Sequence, residues 1–144
     1  MSIITLSKND EWETPGDLYT KLCEKYNVRP LIDVCATRDN RKCVDYFDKQ
    51  QDGLAQHWVK TFFMNPPYSE LKLWLQKAYE EHKKYNITGM ALIFSKTDTK
   101  AWHEYVEGKA EVHFIKGRVK FMLNNKIQDN SAPYPSAVVI WRRK

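Results

Sequence analysis

Thr61-Phe62-Phe63-Met64-Asn65-Pro66-Pro67-Tyr68 is the stretch that most constrains the fold of this chain. Its first half is a short apolar run, which predicts a buried strand. Its second half predicts a loop, because proline cannot donate to a strand ladder. A helical apolar face follows, formed by Leu71, Trp74, Leu75, Ala78 and His82. Strand, loop and helix in this order form the repeating unit of open α/β sheets, whose ligand sites lie where strands end.

Upstream of this loop, the sequence predicts one helix and two strands. Thr14 is suited to cap the helix, with Pro15 in its first turn and Asp17 as a capping-box partner. Its apolar face comprises Leu18, Leu22, Cys23 and Tyr26, and Pro30 ends it. Residues 31–36 are typical of a buried strand with an acid inside it, and residues 43–47 predict a second strand.

Downstream, Ser69 is expected to cap the helix that follows the loop. Residues 90–94 are almost wholly apolar, as in a central parallel strand. A helix is predicted over residues 98–107, with Gly108 as its C-cap. Further strands are predicted over residues 111–115, 119–123 and 137–141. The whole pattern predicts a three-layer α/β fold with a mostly parallel sheet and an antiparallel C-terminal hairpin.

Length and composition place limits on the kind of protein. With 144 residues, the chain is expected to form a single domain over residues 1–144, with no separate target-recognition domain. The net charge of +5 favours a polyanionic partner. Three cysteines without metal-ligand spacing predict reduced, mostly buried thiols: Cys23, Cys35 and Cys43. No signal peptide or membrane-length apolar run is present, so we expect a cytoplasmic protein with no membrane partner.

The four residues Asn65-Pro66-Pro67-Tyr68 suit the methylation of a planar amine. The Asn65 side-chain oxygen can accept one N–H of such an amine, and the carbonyl of Pro66 can accept the other. Pro66 and Pro67 fix φ near −65° and stiffen the loop. The Tyr68 ring offers a stacking face, which is worth about 1–3 kcal/mol for a nucleic-acid base. The same residues are also ordinary turn chemistry, so other parts of the chain must support the interpretation.

Five stretches together resemble the small phage-type, Dam-like family of DNA N6-adenine methyltransferases, and the resemblance extends from Asp10 to Trp141. They are Asp10-Glu11-Trp12-Glu13-Thr14-Pro15, Asp33-Val34-Cys35-Ala36, Asp52-Gly53-Leu54 with Trp58, Asn65-Pro66-Pro67-Tyr68, and Gly117-Arg118-Val119-Lys120-Phe121 with Pro135-Ser136-Ala137. The resemblance implies a Rossmann-like methyltransferase fold, S-adenosylmethionine as cofactor and double-stranded DNA as substrate.

The resemblance also implies a cofactor site. Its candidate residues are Trp12, Thr14, Pro15, Asp33, Cys35, Asp45 and Asp52. Asp33 lies inside an apolar strand, where a buried carboxylate needs a cation or hydrogen-bond donors. The cofactor ammonium would supply one, and an internal ion pair or an N-cap contact is the alternative. Asp45 is placed to bind ribose hydroxyls, with Asp48 as a competitor.

Two of the proposed cofactor contacts can also be explained without a cofactor. Asp52 resembles the acid that contacts the cofactor adenine, but Asp-Gly is also a common turn. The backbone at the Thr14–Pro15 helix start suits a carboxylate, with Trp12 as a wall, but a capped helix needs no ligand. The strand that contains Asp33 lacks the glycine-rich turn of typical methyltransferases, and Val34 stands where the family favours proline.

On the DNA side, a base within a duplex must flip out to reach Tyr68, at a cost of a few kcal/mol. Arg118, Lys120 and Lys96 are the candidate DNA contacts, and a solvated surface is the alternative for each cation. The polar loop over residues 124–134 is a candidate to lie in a groove. No histidine pair has metal-binding spacing, so no metal is expected, and a monomer or a homodimer is equally compatible with the sequence.

These observations predict a DNA methyltransferase acting on adenine N6, with Asn65, Pro66, Pro67 and Tyr68 as catalytic residues. N4-cytosine methylation is the nearest alternative, because the loop does not distinguish the two rings. RNA guanine-N2 and protein glutamine methylation use similar loops. A catalytically inactive DNA-binding relative also stays open, because of the missing glycine and Val34.

Overall fold

The computed structural model describes residues 12–123, 126–127 and 132–144. Three α-helices lie in these residues: α1 (Gly16–Tyr26), α2 (Leu71–Tyr85) and α3 (Lys100–Tyr105). The strands there are β1 (Ile32–Asp33), β2 (Asp45–Tyr46), β3 (Phe62–Met64), β4 (Gly89–Phe94), β5 (Glu111–Phe114), β6 (Met122–Leu123), β7 (Lys126–Ile127) and β8 (Ser136–Trp141). The alternation of helix and strand agrees with the predicted α/β class.

Six strands form the main sheet, in the order β2-β1-β3-β4-β8-β5. The four strands β2, β1, β3 and β4 are parallel, whereas β8 is antiparallel to both β4 and β5. β6 and β7, which lie between β5 and β8 in the sequence, form a separate antiparallel hairpin. The sheet is therefore mixed and mostly parallel, with an antiparallel C-terminal pair, as the sequence predicts.

Helices cover both faces of this sheet. Every residue of β4 is buried, and its side chains alternate between the two faces. Met90 and Leu92 pack on the side of Leu22 from α1. Ala91 and Ile93 pack on the other side, in a cluster to which α2 contributes Trp74, Leu75 and Ala78 and α3 contributes Ala101 and Trp102. Helix α1 thus lies on one side of the sheet, and α2 and α3 lie on the other.

The hairpin and α3 differ from the prediction. The predicted strand over residues 119–123 is reduced to Met122–Leu123, which pairs with β7 and not with the main sheet. The predicted helix over residues 98–107 is shortened to α3, whose N-cap is Thr99. Gly108, with φ 75°, lies in the turn after the helix. In both cases the pairing or capping partner decides the boundary, and local composition does not.

The helix starts were also predicted incorrectly. The N-cap position of α1 is Pro15, with no side-chain cap bond, so Thr14 is not the cap and Asp17 completes no capping box. Asn27, with φ 54°, ends α1 before Pro30 is reached. Ser69 lies within a 3₁₀ turn, and α2 begins only at Leu71. The predicted strands over residues 31–36 and 43–47 are limited to β1 and β2.

Candidate active site

The Asn65–Tyr68 loop leaves β3 at the carboxyl edge of the parallel strands, as the sequence predicts. A 3₁₀ turn over Tyr68–Glu70 connects it to α2. Pro66 is buried, and Asn65 and Tyr68 are half-buried. Asp33 at the end of β1 lies beside this edge, because β1 is the parallel neighbour of β3 and Asp33 pairs with Phe63. The edge therefore holds a polar loop next to a buried acid.

Two hydrogen bonds fix the Asn65 side chain. Its Nδ2 donates to the Trp12 carbonyl oxygen at 2.6 Å and to Thr14 Oγ1 at 2.9 Å. A carbonyl can only accept, so the atom facing Trp12 must be the amide nitrogen. Both amide hydrogens are thus used within the protein. Oδ1 is left as the acceptor of this side chain.

Two depressions meet at Asn65. The first has an empty volume of about 300 Å³, with the open solvent at its mouth included, and is lined by Trp12, Asn65, Pro66, Tyr68, Leu71, Leu92, Ile93, Phe94 and Phe121. The second has an empty volume of about 240 Å³ on the same basis and is lined by Trp12, Glu13, Thr14, Asp33, Cys35, Asn40, Lys42, Phe63 and Asn65. We call them the loop pocket and the acid pocket. Trp12 and Asn65 line both, so they form the wall between an aromatic space and a charged one.

Asp33 in the acid pocket is satisfied by backbone donors. Its Oδ2 accepts from the Lys42 amide at 3.0 Å, and its Oδ1 accepts from the Cys35 amide at 3.4 Å. Burial raises the pKa of Asp33 to about 6, although these two bonds and the Lys42 charge oppose the rise. Nearby backbone donors therefore satisfy the Asp33 carboxylate.

Sequence reasoning missed three polar residues of the acid pocket: Glu13, Asn40 and Lys42. Lys42 Nζ donates to the Asn40 carbonyl at 2.7 Å, and burial lowers the pKa of this lysine. Asn40 Nδ2 donates to Glu13 Oε2 at 3.3 Å. For Asn40 and Lys42 the available signal was the polar loop over residues 37–42, which directly follows the predicted strand that holds Asp33.

The structure does not bring Asp45 to the acid pocket. Its carboxylate bonds Lys60 Nζ at 2.7 Å, and Lys60 lies just before β3, at the amino end of the strands. Asp48 follows β2 on the carboxyl side, where its Oδ1 accepts from the Gln51 amide at 3.0 Å. Pro15 does not line either pocket; it occupies the N-cap position of α1.

Asp52 and Gly53 form a turn that packs against the chain at the end of β1. Asp52 has φ 56°, and its carboxylate accepts from the Leu54 amide at 3.2 Å. Gly53 is buried so closely against β1 that an added Cβ would lie 2.3 Å from the Val34 carbonyl oxygen. A close glycine approach to the first strand therefore exists in this chain. It comes from residue 53 and not from the turn that directly follows the strand.

Aromatic rings surround the loop pocket. The Phe94 ring, at the end of β4, lies 5.8 Å from the Tyr68 ring, 6.0 Å from Phe121 and 5.3 Å from Tyr134. Lys96 Nζ lies 5.8 Å from the Tyr68 centroid and 4.5 Å from the Tyr134 centroid. Tyr134 was not singled out from the sequence. Tyr68, Phe94 and Phe121 thus give the pocket walls suited to a flat ring, and Tyr134 lies beside Phe94 without lining the pocket.

The remaining candidate DNA contacts lie on the surface. Arg118 and Lys120 are exposed, and an Arg118 guanidinium nitrogen donates to the Pro133 carbonyl at 3.3 Å. Six residues of the predicted groove loop, 124–125 and 128–131, lie outside the described residues. In the basic C-terminal run, Arg142 bonds Glu111 and the Tyr26 carbonyl, each at 2.7 Å. That arginine therefore has a structural partner.

The three cysteines are free and half-buried, less buried than expected. Burial raises the pKa of Cys43 to about 11, and its Sγ lies 3.8 Å from the Tyr19 hydroxyl. Among residues 12–123, 126–127 and 132–144, no group of three or more His, Cys, Asp or Glu side chains could hold a metal ion. In the same part of the chain, no helix has the length and apolarity to cross a bilayer.

An Asn-Pro-Pro-Tyr loop at the carboxyl edge of a mostly parallel sheet, beside an acidic pocket, is typical of methyltransferases that act on planar amines. The family model described as DNA N-6-adenine-methyltransferase (Dam) matches residues 2–144. The chain belongs to this family, which makes it an adenine-specific DNA methyltransferase by class. The resemblance seen in the sequence is thereby confirmed.

Two phage proteins, each named DNA N-6-adenine-methyltransferase, are similar to this chain. The protein of Haemophilus phage HP1 (strain HP1c1) is 27% identical over 120 residues, which cover 82% of this chain and 69% of that protein. The protein of Escherichia phage T1 is 28% identical over 109 residues, which cover 74% of this chain and 44% of that protein. The match thus spans less than half of the T1 protein.

Proposed function

We propose that this protein transfers a methyl group from S-adenosylmethionine to N6 of an adenine flipped out of double-stranded DNA. The observation that carries the proposal is the position of Asn65 between the two pockets, with its amide oxygen left to accept. An acceptor at this boundary can hold an amine in one pocket against a methyl donor in the other. Such positioning is the main task of a group-transfer site whose cofactor supplies the reactive group.

The loop pocket is assigned to the target base. Asn65 Oδ1 would accept one amine hydrogen and the Pro66 carbonyl the other, while Tyr68 stacks on the ring. Pro67 keeps Tyr68 at a fixed distance from these acceptors, because its φ is restrained. By holding the two amine hydrogens, these acceptors favour a tetrahedral nitrogen, whose lone pair is no longer conjugated with the ring. The amine nitrogen thereby becomes a better nucleophile.

The acid pocket is assigned to the methyl donor, and its charges fit that molecule. The amino-acid end of S-adenosylmethionine has an ammonium and a carboxylate, which the Asp33 carboxylate and the Lys42 ammonium complement. When bound, this cofactor supplies a methyl group whose bond to sulfur breaks as its bond to N6 forms. The proton released from N6 passes to water, because the Asn65 and Pro66 oxygens serve as hydrogen-bond acceptors and not as bases.

Contacts to the rest of the donor are assigned by position. Trp12, Thr14 and Cys35 line the acid pocket. Trp12 and Cys35 are retained as cofactor contacts and Thr14 as part of the pocket wall, with Pro15 fixing the chain beside Thr14. For the ribose hydroxyls we favour Asp48 over Asp45, because the Asp45 carboxylate is bonded to Lys60 at the opposite end of the strands. The assignment of Asp48 to the ribose, and that of Asp52 to the donor adenine, follow the order of the strands.

Arg118, Lys120 and Lys96 are proposed as DNA contacts. Arg118 and Lys120 are exposed, and the intervening Val119 is buried. Alternate residues of this segment therefore project outward while the others anchor it in the core. Cations in such an arrangement can neutralise phosphates without disturbing the fold. A single domain that recognises its own target, as a monomer or a homodimer, stays a prediction.

The test is methyl transfer from labelled S-adenosylmethionine to unmethylated duplex DNA, followed by nucleoside mass spectrometry. Wild type should produce N6-methyladenine, whereas Asn65→Ala should be slower by about 100-fold or more, because the amine loses an oriented acceptor. Gln76→Ala is the matched control, since this exposed amide on α2 bonds only Glu80 among the described residues. It should behave as wild type.

The other outcomes would change the assignment in defined ways. N4-methylcytosine as the product would keep the site and change the base. Saturable donor binding without any DNA product would contradict the DNA substrate and direct the search to RNA or protein amines. Absence of donor binding would leave a catalytically inactive DNA-binding relative.

A further inference from the structure

We propose that Thr14 is a positioning residue for catalysis, whose hydroxyl holds the Asn65 amide oxygen toward the target amine. This inference rests on the function proposed above and adds a residue to its machinery. From the sequence, Thr14 was interpreted as a helix cap and as a cofactor contact. Neither interpretation accounts for its bond to Asn65.

The need for a second anchor follows from the geometry of asparagine. The last torsion of an asparagine side chain is broad, so rotation of the amide plane is restrained only weakly by the residue itself. One bond, from Nδ2 to the Trp12 carbonyl, fixes the nitrogen but allows the plane to turn about it. The second bond, to Thr14 Oγ1 at 2.9 Å, fixes the plane and therefore the direction of Oδ1.

Thr14 is itself held by the segment of residues 12–14, which we call the strap. Glu13 and Met122 exchange two backbone hydrogen bonds, each of 2.8 Å, so the strap is tied to β6. The Trp12 ring lies 6.3 Å from the Phe121 ring. The strap is thus supported from the hairpin side and does not depend on α1 alone.

The Thr14 side chain has no competing hydrogen bond in the described residues. It is 3% exposed, and α1 uses no side-chain cap. Its one described hydrogen bond joins it to the nitrogen of Asn65, 51 positions along the chain. A buried hydroxyl is costly unless it is bonded, so this pairing is a specific feature of the fold.

The prediction concerns the rate of methyl transfer more than binding. A misplacement of about 1 Å at a reacting group can cost about 100-fold in rate. Thr14→Val keeps the shape and removes the acceptor, so we expect about 10- to 100-fold slower methyl transfer in a single turnover. Dissociation constants for S-adenosylmethionine and for a random-sequence duplex should change by less than about threefold, because the pocket walls remain.

Three matched variants make the test specific. Thr14→Ser retains the hydroxyl and should stay within about threefold of the wild-type rate. Thr20→Val is the control for the same replacement elsewhere, because the one hydrogen bond of Thr20 Oγ1 within the described part of the chain is to the Gly16 carbonyl, on the exposed side of α1. An unchanged rate in Thr14→Val would overturn the inference. A loss that lies entirely in donor affinity would also overturn it, and would make Thr14 a cofactor contact.

A second readout does not depend on activity. The side-chain ¹H–¹⁵N signals of Asn65, assigned by their loss in Asn65→Ala, report the two bonded amide hydrogens directly. One of the pair should shift upfield in Thr14→Val and be restored in Thr14→Ser; unchanged signals would overturn the inference. A wild-type protein that transfers no methyl group would contradict the proposed function, and these spectra would still decide whether Thr14 holds Asn65.

Discussion

The ammonium of Lys96 lies 4.5 Å from the Tyr134 ring centroid and 5.8 Å from that of Tyr68. A cation over an aromatic face is stabilised by about 0.5–2 kcal/mol. The backbone directly after Tyr134 is held in place, because both the amide and the hydroxyl of Ser95 donate to the Pro135 carbonyl, at 2.9 and 3.1 Å. Tyr68 in the lining of the loop pocket and Tyr134 beside Phe94 thus share one lysine, which places a positive charge where DNA is proposed to bind.

We predict that Lys96 forms a phosphate contact when DNA binds. Lys96→Met keeps much of the apolar stem and removes the charge, so it should reduce the slope of log affinity against log salt by about 0.9. The measurement is the dissociation constant of a random-sequence duplex between about 50 and 200 mM salt. Lys84→Met is the control, because Lys84 Nζ lies 5.3 Å from the Tyr85 ring at the far end of α2. Equal slopes in wild type and Lys96→Met would contradict the contact.

Tyr134 is predicted to supply a second stacking face for the target base. Tyr134→Ala should lower kcat/KM for DNA by about 5- to 150-fold, which corresponds to the 1–3 kcal/mol of one base–aromatic stack. Tyr134→Phe keeps the ring and should lose little. Steady-state methylation of unmethylated duplex DNA measures both variants. Full activity of Tyr134→Ala would show that the base does not contact this ring.

The stability of the protein should depend on the ionisation of Asp33. Burial raises its pKa from 3.8 to about 6, so the folded chain holds this proton more tightly than the unfolded chain. The proton on Asp33 therefore stabilises the fold fully below about pH 4, and this stabilisation is lost as the pH rises through about 6. The shift of about 2 units corresponds to at most about 3 kcal/mol. Urea unfolding between pH 4 and 7 is the measurement. As the pH rises, the free energy of unfolding of wild type should fall relative to that of Asp33→Asn.

The same ionisation should govern donor binding. An ammonium favours the charged carboxylate, so the affinity for S-adenosylmethionine should rise as the pH increases through about 6, and calorimetry measures this. Asp33→Asn should bind weakly at every pH. A wild-type affinity that is constant from pH 5 to 7 would contradict a contact between Asp33 and the donor ammonium.

Gly53 is predicted to be intolerant of a side chain. A Cβ there would lie 2.3 Å from the Val34 carbonyl oxygen and 2.9 Å from the Trp74 ring, so Gly53→Ala must push the turn away from β1. We expect a loss of about 1–3 kcal/mol in the free energy of unfolding, with weakened donor binding. Gly16→Ala is the control, because nothing lies within 4 Å of its added Cβ. Thermal unfolding compares Gly53→Ala with Gly16→Ala, and equal Tm values would contradict a close contact between Gly53 and the end of β1.

Sequence patterns predicted those parts of the fold in which local periodicity reports burial. The apolar run over residues 90–94 is the fully buried β4, and the predicted face of α2 is buried at Trp74, Leu75, Ala78 and His82. The spacing of apolar residues in a strand or a helix depends only on which face meets the core, so it can be recognised within about ten residues. The position of the Asn65–Tyr68 loop at the carboxyl edge follows from the same alternation.

Long-range pairing was not predictable in this way. The prediction extended a strand over residues 119–123, whereas the structure pairs Met122 with Glu13 and with Ile127. Asp45 has the sequence position of a ribose-binding acid, but its register beside Ile32 turns it toward Lys60. A shift of one residue reverses the side to which a strand side chain points, and composition does not fix that register.

By itself, the sequence determined the α/β class, the mostly parallel sheet and the loop on which the candidate chemistry depends, because these follow from local period and from proline stiffness. Only the tertiary structure decided how Asn65 is oriented. The bonds to Trp12 and Thr14 span 53 and 51 positions, and folding alone brings those groups together. A hydrogen bond between distant segments leaves no local pattern in composition or spacing, so the direction of the Asn65 amide oxygen becomes visible only once the strap lies across the end of β3.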